Sequence, residues 1–109
     1  MKYILLLNID NLSKNIFLKS YINDGYEIAF DTNNNILLRK NSNSIKDEET
    51  YIKILASYLK RSEQINTTKR KIIDLTKAFE YAKNKNGYNK FDNKFDWYIR
   101  NIIIKELNN

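Results

Sequence analysis

The sequence predicts an α+β domain: a small three-stranded sheet in β-α-β-β order, followed by three helices, in one compact unit of 109 residues. Three observations carry this. Tyr3–Ile9 is a short apolar run, long enough for a strand and too short for a helix. Tyr26–Phe30 and Ile36–Arg39 are apolar stretches on either side of an Asn-rich turn. Beyond residue 44, apolar side chains recur every three to four positions, the helical period. The β part spans 1–40 and the basic helical part 44–107.

The first run, Tyr3-Ile4-Leu5-Leu6-Leu7, is apolar on both alternations and reads as a strand buried on both faces. Asp10 or Asn11 caps a helix over roughly Leu12–Asn23, and Gly25 supplies a left-handed stop. Tyr26, Ile28 and Phe30 then alternate with Glu27, Ala29 and Asp31. The turn Asp31–Asn35 returns the chain into Ile36–Arg39, because Asn tolerates the positive φ of a tight reversal.

After the linker Asn41–Ser44, Ser44 and Asp47 suit a capping box. Asp47, Glu48 and Glu49 fill the first turn of this helix, and Lys60 and Arg61 the last, complementing its dipole. Tyr51, Ile52, Leu55, Tyr58 and Leu59 form its buried stripe. A second helix is expected from Thr67 or Thr68 to Asn84, with Ile72, Leu75, Phe79 and Ala82 inward and Arg70, Asp74, Lys77 and Tyr81 outward. Gly87 falls in a loop. The last helix begins near Asn89 or Asn93, inside a tandem Asn-Lys-Phe-Asp repeat, and Phe91, Phe95, Tyr98, Ile99 and Ile102 make its stripe.

Charge is segregated along the chain. Residues 51–109 carry thirteen Lys/Arg against six Asp/Glu, and residues 1–50 six against seven, so about +7 and −1 make the formal +6. Heavy use of Asn, Lys, Ile and Tyr marks an AT-rich gene, but codon bias alone would not confine the excess to one half. Such segregation suits an anionic partner.

The composition also removes chemistry. There is no Cys, hence no disulfide or thiolate metal site, and no His, hence no imidazole base or ligand. Asp92 and Asp96 lie one helical turn apart without a third carboxylate nearby. The chain is therefore expected to be non-enzymatic, with no cofactor and no metal. The apolar start is too short for a signal-peptide core or a membrane span, so a cytoplasmic location without membrane contact is expected.

The sharpest motif is Lys69-Arg70-Lys71 at the expected helix start, where positive charge opposes the macrodipole and a bound phosphate would relieve it. Lys60, Arg61, Lys69, Arg70, Lys71 and Lys77, with Tyr81 as a base-stacking surface, form the candidate nucleic-acid site, with DNA ahead of RNA. The helices at 47–61 and 67–84 would also suit a helix-turn-helix-like pair. Trp97 and Ile104, opposite the last stripe, are the candidate anchors for a homodimer or a partner protein. The alternative function is thus a protein-interaction module: an inhibitor or accessory factor, of the kind phages and mobile elements encode. It would dock on a larger host protein such as a nucleic-acid-processing or defence complex, or on an acidic surface.

Overall fold

A computed structural model describes residues 1–10, 14–32, 34–41, 45–62, 70–86, 97, 99–103 and 105. The elements run β1 (Lys2–Leu7), α1 (Lys14–Asn23), β2 (Glu27–Asp31), β3 (Ile36–Lys40), α2 (Ile45–Ser62), β4 (Lys71–Asp74) and α3 (Thr76–Asn86). Residues 97, 99–103 and 105 are also helical. The sheet is four-stranded, in the order β2-β3-β1-β4, and every pair is antiparallel.

β1 is central because both of its alternations are apolar. Tyr3, Leu5 and Leu7 point to a core shared with Tyr51, Leu55, Tyr58 and Leu59 of α2, Ala78 and Phe79 of α3, and Ile99 and Ile103. Leu6 points the other way, to a smaller core with Leu18 of α1, Tyr26, Ile36 and Leu38, and Ile4 packs at its margin. Each such side chain contributes about 1.5–3 kcal/mol on full burial. α1 therefore covers one face of the sheet, and α2, α3 and the helical residues 99–103 cover the other.

This layering has a chiral consequence. The crossovers β1-α1-β2 and β3-α2-β4 each join parallel strands across one intervening strand. A pseudo-two-fold normal to the sheet relates them, so helices on opposite faces give them opposite hands. One of the two departs from the usual right-handed rule.

Local chemistry fixes the ends of the elements. α1 closes in a Schellman motif: the Gly25 amide donates to Ile22 (3.1 Å) and the Tyr26 amide to Tyr21 (3.0 Å). Gly25 takes φ +94°, and the Tyr21 and Tyr26 rings meet edge to face at 5.5 Å. In the hairpin, Ile28 pairs with Leu38 and Phe30 with Leu37, which leaves Ala29 as a bulge. Both Ala29 and Phe30 thereby reach the larger core. Asn8, at φ 58°, ends β1, and its amide donates to the buried Asn35 side chain (3.2 Å).

α2 carries the expected stripe, with Tyr51, Leu55, Tyr58 and Leu59 buried. Glu48 does more than complement the helix dipole. It is buried to 1% exposure and receives Arg39 of β3 at 3.2 Å, pinning the first turn of α2 to the sheet. Ser44 lies outside the described residues, and so does the Asp47 side chain.

Two sequence expectations are corrected. The sheet has four strands, not three, and the expected helix at 67–84 is divided. Lys71–Asp74 pairs with β1, matching Leu5 to Ile73 and Leu6 to Ile72, and helix begins only at Thr76. Pairing places Ile73 in the core and leaves Ile72 51% exposed, the reverse of the helical assignment. The switch is held by polar contacts: the Leu75 amide donates to Tyr3 (2.8 Å), the Tyr3 amide to Thr76 Oγ1 (3.0 Å), and the Thr76 amide to Asp74 Oδ1 (2.9 Å). Phe79 then stacks on Tyr3 with centroids 3.9 Å apart. No helix-turn-helix pair forms from these segments.

Candidate polyanion-binding surface

Among the described residues, salt bridges join Lys14 to Asp31 (2.7 Å), Arg39 to Glu27 (3.6 Å) and to Glu48 (3.2 Å), and Lys40 to Asp24 (3.7 Å). By contrast Lys53, Lys60 and Lys77 are exposed and in no ion pair among the described residues.

The fold explains where these three cations stand. On α2 the inward stripe of Tyr51, Leu55, Tyr58 and Leu59 turns Glu49, Thr50, Lys53, Ser57 and Lys60 outward. Lys53 and Lys60 are seven residues apart, two helical turns on one face. On α3 the burial of Ala78 and Phe79 turns Lys77 and Glu80 outward. Both helices belong to the layer on the Tyr3 face of the sheet, so the three lysines stand on that layer.

The remaining expected site residues are dispersed. Arg70 and Lys71 stand at the start of β4, not at a helix terminus, so the opposition to a macrodipole that singled them out does not exist. Arg70 is exposed and its guanidinium lies over the Phe17 ring of α1 at 4.4 Å, on the side of the sheet away from α2 and α3. Lys71 follows the opposite alternation and is half-buried. Tyr81 is half-buried one turn beyond Lys77 and has an interaction partner. Arg61 lies in the last turn of α2; Lys69 and Ile104 fall outside the described residues, as do Asp92 and Asp96.

The amino end of α3 is served by acid, as helix chemistry prefers. The Thr76 hydroxyl and then its amide hold the Asp74 carboxyl below the usual carboxylate range, against some desolvation, with Lys2 and Lys77 adding attraction. Asp74 was a residue of the outward helical face in the sequence reading. The signal that identifies it is Asp-x-Thr after a β-branched pair, a cap at a strand-to-helix junction.

Trp97 is 65% exposed on a stretch anchored by the buried Ile99 and Ile103, and its carbonyl accepts from Asn101 Nδ2 at 2.7 Å. Among the described residues no three His, Cys, Asp or Glu gather as a metal site, and no helix is long and apolar enough to cross a membrane. No protein-family model, curated protein or solved structure matches the chain.

Proposed function

We propose that this chain is a small non-enzymatic binding protein whose partner is a nucleic acid, DNA before RNA, held through phosphates by the α2–α3 side. The observation that supports this is the exposure of cations on one helical layer: Lys53, Lys60 and Lys77 project from α2 and α3 in no ion pair among the described residues, whereas acids pair with Lys14, Arg39 and Lys40. A phosphate backbone rewards such a set because each contact releases condensed counterions, whatever the base sequence. The reading differs from the sequence expectation in its residues: Lys53 joins Lys60 and Lys77, and Arg70 leaves the set. The test is binding of a labelled DNA duplex by fluorescence anisotropy, comparing the wild type with the triple Lys53→Glu, Lys60→Glu, Lys77→Glu variant. The reading requires the triple variant to lose at least about tenfold in affinity; equal affinity sinks it.

A second reading has its own observation in Trp97. An exposed indole on an anchored helical stretch is the form a protein-binding hot spot takes. It favours an inhibitor or accessory factor docking on a larger protein, including one that handles nucleic acid.

A further inference from the structure

β4 is an edge strand whose free side is self-complementary. The Leu75 amide points inward to Tyr3, so by strand alternation Ile73 and Lys71 also direct their backbone groups to β1. The amides and carbonyls of Ile72 and Asp74 therefore point away from the sheet, and no described residue pairs with them. Ile72 is half exposed at the centre of this edge. Two residues before it stands Arg70 and two after it Asp74, both on the α1 side with Ile72.

We infer that β4 pairs antiparallel with β4 of a second copy, on a two-fold axis at Ile72, extending the sheet across the dimer. In that register Ile72 faces Ile72 of the second copy, and Arg70 of each copy faces Asp74 of the other. The arrangement is isologous, as a closed dimer requires. Ile72, Arg70 and Asp74 are the positions whose backbone groups face outward, so each opposed pair exchanges main-chain hydrogen bonds.

The charge pattern argues for pairing over protection. Edge strands resist pairing by being very short, by carrying charge, Lys above all, or by bulges and Pro, and β4 with its four residues is a short one. Here opposite signs flank one apolar residue symmetrically, which removes repulsion in only one register, the self-antiparallel one. Contact of Arg70 with Phe17 keeps the guanidinium on the face where Asp74 of the second copy arrives. So short a strand contact lies below the standard interface size of about 1,200–2,000 Å², and the net +6 of each copy opposes approach. The dimer is accordingly concentration-dependent, not obligate. It draws on residues other than Trp97 and does not rest on the nucleic-acid reading.

Sedimentation velocity on nuclease-treated full chain, from about 10 to about 500 µM in 0.15 M salt, reads this directly. The mass should rise from 13.1 kDa toward twice that value. Ile72→Lys places two ammonium groups on the axis, and Arg70→Glu sets acid against acid twice. Each should raise the dimer dissociation constant by roughly tenfold or more, since each acts on both sides of the axis. Ile72 is half exposed and Arg70 is exposed, where its contact with the Phe17 ring contributes little, so thermal melts of the variants should stay within a few degrees of the wild type. A mass that stays at 13.1 kDa throughout, or association unchanged in both variants, overturns the inference.

Discussion

The Asp74 carboxylate accepts the Thr76 amide at 2.9 Å, and across that contact the chain changes from strand to helix. Removing the cap by Asp74→Ala should cost about 1 kcal/mol, whereas Asp74→Asn keeps an acceptor and should cost less. Because the folded carboxyl titrates below its ordinary 3.8, this contribution is present above that pH and lost as pH falls through the lowered value. Urea melts of wild type and Asp74→Asn between pH 3 and pH 6 check the sign: the wild-type advantage should shrink toward the acid end. An advantage that grows on acidification contradicts the assignment.

Arg39 and Glu48 tie α2 to the sheet through a pair whose acid is fully enclosed. Glu48→Ala leaves the half-buried guanidinium with only the 3.6 Å contact to exposed Glu27 and should destabilise by about 3 kcal/mol. Replacing both partners, as Arg39→Met with Glu48→Leu, should recover most of that loss. Thermal melting of the two variants decides: a double variant as unstable as Glu48→Ala argues against a desolvated pair.

Gly25 stands at φ +94°, where a side chain strains the backbone. A Cβ there meets only Lys40 Cε at 3.5 Å, an ordinary contact, so Gly25→Ala isolates the conformational cost. Denaturant titration should show a loss of about 1 kcal/mol.

Trp97→Ala separates the two functional readings. The indole is largely exposed, so its removal should leave the melting temperature within a few degrees of wild type. Capture from the native cell, with and without nuclease, then distinguishes the partners. Protein capture that survives nuclease and disappears in Trp97→Ala supports the interaction module; loss of all capture on nuclease treatment supports the nucleic-acid reading.

Much of the fold was readable in the residues. The doubly apolar β1, the Gly25 stop, the hairpin and the α2 stripe each carry a local signal, and each forms where its signal lies. Lys71-Ile72-Ile73-Asp74 does not, because four residues with two β-branched positions satisfy helical and extended periods alike. What decides is pairing with β1, almost seventy residues away, an interaction no local pattern displays. The candidate site inherited that ambiguity. Arg70 and Lys77 share a face only on a continuous helix; once β4 intervenes they lie on opposite sides of the sheet. Lys60 was readable as a helix-end charge complementing the dipole, and its exposure beside Lys53 on one outward face is visible only once the burial of α2 is known. Glu48 likewise was absorbed by helix-start chemistry, since its partner on β3 is visible only in three dimensions.

The salt dependence of duplex binding tests the central claim most directly. With Lys53, Lys60 and Lys77 on phosphates, log affinity should fall with log salt at a slope of about −3 or steeper. The triple charge-reversal variant should be flatter by about 3. A slope near zero in the wild type, or an unchanged slope in the variant, would contradict a phosphate-binding α2–α3 surface.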